Sequence, residues 1–193
     1  MNELPWVWIG LRMSGLVAYG ALWASMWFGL AVAARGAGGW LHPASATELH
    51  RQWSLAALAA TGAHALATAA SVWERGLEGE LVMGVFAAGA MAAAGVSSAG
   101  ERRLSPSAWR AVHALVFGAW VLATVHTFVA GSDTQLAGVR AALLGSVAAL
   151  VGAFALRIAT ALQRPVAPGA GRAAVPARVG TVAARPPPSE QPG

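Results

Sequence analysis

The chain has 193 residues, of which 56% are hydrophobic and only 11% charged, and its mean hydropathy is +0.55. A soluble domain carries roughly 25% charged residues, so the composition excludes an ordinary water-soluble enzyme and points to a membrane protein. The chain has no cysteine, which rules out disulfides, thiolate haem ligands, iron–sulfur clusters and a covalently attached c-type haem.

The net charge of +5 comes from arginine alone, since the sequence contains no lysine. A pI near 11.5 would suggest nucleic acid in a soluble protein. Here the arginines fall in predicted loops and in the tail, where membrane orientation explains them, and no nucleic-acid partner is expected.

Five segments reach membrane-crossing length, which needs roughly 20 mostly apolar residues. They cover residues 6–34, 46–74, 80–100, 106–130 and 136–161. The first is preceded by Met1-Asn2-Glu3-Leu4, with no basic residue. It also exceeds a signal-peptide core, so it reads as a span despite Ala31-Val32-Ala33 near its end. Ser45-Ala46-Thr47-Glu48 has the capping-box form before the second segment, and Gly76 follows that segment. Ser105-Pro106 places a capping hydroxyl and an N1 proline before the fourth. Gly131 closes the fourth segment, and Asp133 is positioned to cap the fifth. Nothing alternates with period 2 as a β-barrel would.

From Arg164 onward the chain is rich in Pro, Ala, Gly and Arg. It cannot form a core, and a disordered cytoplasmic tail is expected over residues 164–193. Its arginines either touch anionic lipid or do nothing. The expected architecture is therefore all-α: an integral membrane bundle of five transmembrane helices over 1–163, followed by that tail.

Charge orients the bundle. Arg35 and Arg51, then Arg102, Arg103 and Arg110, then Arg157 and Arg164 fall on one side. Glu74, Arg75, Glu78 and Glu80, and then Asp133, fall on the other. The positive-inside rule puts the N-terminus outside and the C-terminus in the cytoplasm of a bacterial-type inner membrane. Trp6, Trp8, Trp40, Trp53, Trp73 and Trp109 lie near span ends, as interfacial aromatics do. Gly84, Ala88, Gly138 and Gly145 permit close helix contact.

Four histidines lie inside predicted spans. The second and fourth segments have one span between them and run parallel, so His50 and His113 share the cytoplasmic end while His64 and His126 share the outer one. Fourteen and thirteen residues at about 1.5 Å each separate the two levels by roughly 20 Å on both helices. Neutral imidazole is a good iron ligand, and each level can hold one haem between two helices. Thirteen residues fall about 140° short of four turns. The fourth helix therefore needs a bulge or bend, eased by Gly118, or two different ring approaches. Interhelical hydrogen bonding is the plain alternative. Zinc would need about four converging ligands, which two distant levels do not provide. His42, before Pro43, reads as a surface residue.

Leu11-Arg12-Met13-Ser14-Gly15-Leu16-Val17-Ala18-Tyr19, Leu49-His50-Arg51 through His64, Trp109-Arg110-Ala111-Val112-His113 through His126, and Ala130-Gly131-Ser132-Asp133 resemble the ferric reductase-like transmembrane domain. That family includes eukaryotic ferric reductases, NADPH oxidases and the haem-binding subunit of a bacterial periplasmic methionine sulfoxide reductase system. The resemblance covers roughly residues 6–160, and the histidine spacings are its most specific element. It implies two b-type haems, an inner one on His50 and His113 and an outer one on His64 and His126. It also implies an arginine beside the outer haem at the position of Arg12. That residue needs an anionic partner, such as a propionate, unless it snorkels to the interface. Arg51 and Arg110 lie beside the inner ligands, where both propionate pairing and positive-inside orientation account for them. Ala114 departs from the basic or aromatic residue common in relatives.

Ferric reductases and NADPH oxidases continue into a flavin- and NADPH-binding domain, and this sequence has no Gly-rich phosphate loop. The expectation is an oxidoreductase component, with catalysis by the chain alone left open. It would carry electrons from a separate reductase, a quinone or a loosely bound flavin to an external acceptor. The alternative is a non-redox membrane protein, a small transporter or structural subunit, with interhelical histidines; no internal repeat or broken helix pair favours a transporter.

Overall fold

The computed structural model describes residues 5–34, 42–72, 79–100 and 103–163. They form α1 (Pro5–Ala33), α2 (Pro43–Val72), α3 (Gly79–Ala99), α4 (Pro106–Ala130) and α5 (Ala137–Leu162), with a 3-10 turn at Ser132–Gln135 between α4 and α5. No strand occurs among the described residues. The expected tail, Arg35, Trp40, Trp73, Glu74, Arg75, Gly76, Glu78 and Arg102 lie outside them.

Four helices are long and apolar enough to cross a membrane, namely α1 from Trp8, α3 from Leu81, α4 and α5. The 30-residue α2 is as long, but its first turns carry Glu48, His50, Arg51 and Gln52 and make it less apolar. Large apolar side chains such as Leu66, Phe86, Val96 and Leu156 are exposed on the outside of the bundle. Helices that are apolar all round belong in a protein core or in lipid.

The helix starts follow local chemistry. Ser105 accepts the Ala108 N–H at 3.2 Å, with Pro106 at the first helical position. The expected capping box at Ser45 is not used. Proline is preorganised for a first helical position, so α2 begins at Pro43, and Ser45 falls inside the first turn. His42, expected as a plain surface residue, caps this helix by accepting the Ala44 N–H on Nδ1 at 3.4 Å. Asp133 does not cap α5, whose N-cap position is Leu136 with no side-chain bond.

Contact patterns pair α1 with α2 and α3 with α4, and α5 rests on α1. The shared core takes Tyr19, Leu22 and Met26 from α1, Ala57 from α2, Met91 from α3, Ala119 and Trp120 from α4, and Leu143 and Leu150 from α5. Positions 19, 22 and 26 follow the i, i+3, i+7 stripe of a packed helix face. α5 is held by a small polar cluster, in which the Trp23 indole donates to the Ser146 carbonyl at 2.9 Å and the Tyr19 hydroxyl lies 3.1 Å from the Ser146 hydroxyl. Elsewhere hydroxyls return to their own helix, as Thr68 does to the His64 carbonyl and Thr127 to the Ala123 carbonyl. Such back-bonding hides a donor where lipid offers no acceptor.

Ser105→Ala is expected to lower stability by about 1 kcal/mol, the usual value of a lost N-cap. Thermal unfolding in detergent checks this.

Candidate functional site

The structure brings the four span histidines together as two pairs. His50 of α2 faces His113 of α4 with ring centroids 6.1 Å apart and planes crossing at 76°. His64 faces His126 at 6.4 Å and 62°. Each pair joins the same two helices at one end of the bundle, so α2 and α4 run parallel. Their backbones do not approach closely, and the imidazoles reach into the space between them. α4 is an uninterrupted α-helix through both histidines. The bulge considered at Gly118 does not occur, and the rings instead approach their partners differently.

These separations are informative. A metal–imidazole bond is about 2 Å and the ring centroid lies about 1.2 Å behind the nitrogen, so one metal between two axial imidazoles sets the centroids about 6.4 Å apart. A direct N–H···N bond of about 2.9 Å would set them only about 5.3 Å apart. Both observed pairs stand nearer the wider spacing.

The α2 rings are held from behind. The Nδ1–H of His50 donates to the Ser25 carbonyl of α1 at 2.9 Å. Ser14 Oγ donates its own proton to the Leu11 carbonyl at 2.8 Å, so at 3.2 Å it accepts from Nδ1–H of His64. On α4, Nδ1 of His113 lies 3.4 Å from Ser98 Oγ of α3. With Nδ1 engaged, Nε2 is the nitrogen left to a ligand on His50 and His64, and the bond at Nδ1 fixes the ring's orientation.

Glycines make room for these rings. A Cβ at Gly15 would lie 3.0 Å from His64 Cε1, one at Gly29 would lie 3.2 Å from His50 Cε1, and one at Gly84 would lie 3.3 Å from His126 Cε1. The fourteen residues from Gly15 to Gly29 mirror the fourteen from His50 to His64 on the antiparallel neighbour. This shared spacing is visible in the sequence. Gly138 and Gly145, considered as packing residues, meet open space.

A cavity of about 700 Å³ opens at the His64–His126 level, within the range of cofactor pockets. Its walls come from all five helices and the 3-10 turn, with Val139 from α5, and are mostly apolar with a polar corner of Arg12, Ser132, Asp133 and Thr134. Arg12 is anchored rather than snorkelling. Its guanidinium bonds Asp133 at 3.0 Å and the Ser132 hydroxyl, and lies 4.1 Å over the Trp8 ring. The side chains of Arg12 and Asp133 are 16% and 27% exposed, so the pair is partly desolvated. Asp133 is thus the anionic partner that Arg12 required. Gly131 shapes this turn, because a Cβ there would come within 2.3 Å of the Thr127 carbonyl oxygen.

The structure does not bring Arg51 and Arg110 into a comparable cluster. Arg51 is exposed and grips Glu48 at 2.8 and 3.0 Å, and Arg110 is exposed on α4. Trp109, placed by sequence near a span end, lies in the first turns of α4 and stacks on His113. Among the described residues, no three His, Asp or Glu side chains group as a metal site. Any metal here would need a non-protein group to complete its coordination. The chain matches none of the family models, curated proteins or solved structures with which it was compared.

Gly15→Leu and Gly29→Leu are expected to destabilise the bundle by about 1–3 kcal/mol through overpacking against the histidines. Gly20→Leu, which meets open space, should be neutral or stabilising. Parallel melting curves in detergent distinguish these outcomes.

Proposed function

We propose that this chain is a membrane b-type cytochrome, holding one haem between His50 and His113 and a second between His64 and His126. The observation that carries this reading is the two matched imidazole pairs, each spaced for a single iron and held from behind. Two protein ligands per metal suit haem, whose porphyrin supplies the other four.

In this reading all five helices cross the inner membrane of a bacterial-type cell, with the N-terminus outside and the C-terminus in the cytoplasm. α2 serves as the fifth crossing. Thirty residues span about 45 Å against a hydrocarbon core of about 30 Å. Glu48, Arg51 and Gln52 then sit at the interface, while the histidines turn inward.

Haem iron, when bound, supplies one-electron chemistry. The protein's own residues hold the imidazoles aimed, exclude water with apolar helix faces and set the local charge. Electrons would enter from a separate reductase, a quinone or a loosely bound flavin at the His50 level, and leave to an external acceptor at the His64 level. The resemblance to the ferric reductase-like transmembrane domain supports the same direction.

Detergent-purified protein, expressed with ample haem, is expected to carry two haems per chain by pyridine haemochrome assay. His64→Ala and His126→Ala should lose the same one, and His50→Ala and His113→Ala the other. One haem or none in the wild-type chain would falsify the proposal.

A second expectation concerns the Arg12–Asp133 pair in the wall of the outer cavity. Arg12→Leu leaves an uncompensated carboxylate and should lower the midpoint potential of the outer haem. Asp133→Asn leaves an uncompensated guanidinium and should raise it. Redox titration of both variants checks the opposite signs, and shifts of the same sign would remove the pair from the site's electrostatics.

A further inference from the structure

Trp109 lies one turn before His113 on α4, and its indole stacks on that imidazole with centroids 4.9 Å apart and planes 18° apart. Its Nε1 is buried and has no hydrogen-bond partner among the described residues. Indole is a donor only, and a buried donor left unmet is destabilising. Trp23, by contrast, donates to the Ser146 carbonyl. Trp120 Nε1 is also unmet, but Trp120 is packed in the core between the two histidine levels. Trp109 is different, because its ring is in direct contact with a residue of a histidine pair.

The charged groups nearby in sequence do not supply the donor at this level. Arg51 is held by Glu48 at the surface, and Arg110 is exposed. The opposite level has its polar corner at Arg12 and the 3-10 turn. At the His50–His113 level, the buried side-chain polar atom left unmet among the described residues is the Trp109 indole N–H.

Resting on the haem reading above, we infer that Trp109 is a binding residue of the His50–His113 site, whose indole N–H donates to a carboxylate oxygen of the group held there. The stack on His113 fixes the indole's orientation. The neutral donor then stabilises the carboxylate without adding a cation to the bundle. Loss of the bond leaves more negative charge beside the iron and favours its oxidised state.

Trp109→Phe keeps an aromatic ring for the stack and removes the N–H. Haem content is measured first: fewer than two haems in the wild-type chain sinks the cytochrome reading itself. With two haems in both proteins, the midpoint of the His50-level haem should move to a more negative potential while the other stays in place. The two haems are told apart by their loss in His50→Ala and His64→Ala. An unmoved His50-level midpoint overturns the role of Trp109 and leaves the haem reading standing. If Trp109→Phe does not accumulate, ultraviolet resonance Raman of the wild-type chain decides the matter. Haem loading should move one indole N–H-sensitive band toward its hydrogen-bonded position, and no movement would overturn the inference.

Discussion

The hydrogen bonds from the α2 imidazoles to α1 govern how this bundle is arranged. An imidazole between apolar helices has two nitrogens to satisfy, in surroundings where unmet polar groups are costly. α1 takes one of them at each level, through the Ser25 carbonyl and the Ser14 hydroxyl. The second nitrogen is then directed away from α1, toward the space shared with α4. The close α1–α2 packing and the open α2–α4 seam are two sides of the same constraint. Without those bonds, each ring would be free to rotate and meet a neighbour directly, and the seam would have no reason to stay open.

The same logic explains the division of labour among the helices. α1 and α3 lie behind the rings, and they offer glycines, serines and a backbone carbonyl to the histidines. α2 and α4 carry the rings themselves. α5 contributes core residues and the Ser146 anchor. The polar side chains that remain are turned back on their own helices or gathered into the corner around Arg12.

Much of this was legible in the sequence. Apolar length located the five helices to within about three residues. One intervening helix made α2 and α4 parallel, and that alone placed His50 opposite His113 and His64 opposite His126. What local pattern did not reveal depended on distant chain segments meeting. Asp133 looked like a cap for α5 because it precedes a helix, yet 121 residues separate it from the arginine it serves. Trp109 looked like an interfacial aromatic because it stands near a helix start, and its stacking on His113 depends on rotamers that sequence does not specify. The angular mismatch of His113 and His126 counted ideal helix steps and left out the reach of the side chains. An imidazole pivots about two torsions, so the rings can meet their partners without bending the backbone.

The matched intervals on α1 and α2 carry a consequence for how such a chain can evolve. Gly15 backs His64 and Gly29 backs His50, so the two helices are meshed at two points about four turns apart. Substitution at the exposed positions between these points is cheap, whereas the buried Tyr19, Leu22, Met26 and Ala57 are tied to the core. Insertion or deletion is not cheap. One residue more or less on either helix would rotate everything beyond it by about 100° and slide it by about 1.5 Å, moving one notch off its ring while the other stayed engaged. Length between the two notches is therefore under a stricter constraint than the identity of the exposed residues there, and lineages descended from this chain should vary those residues while conserving the count.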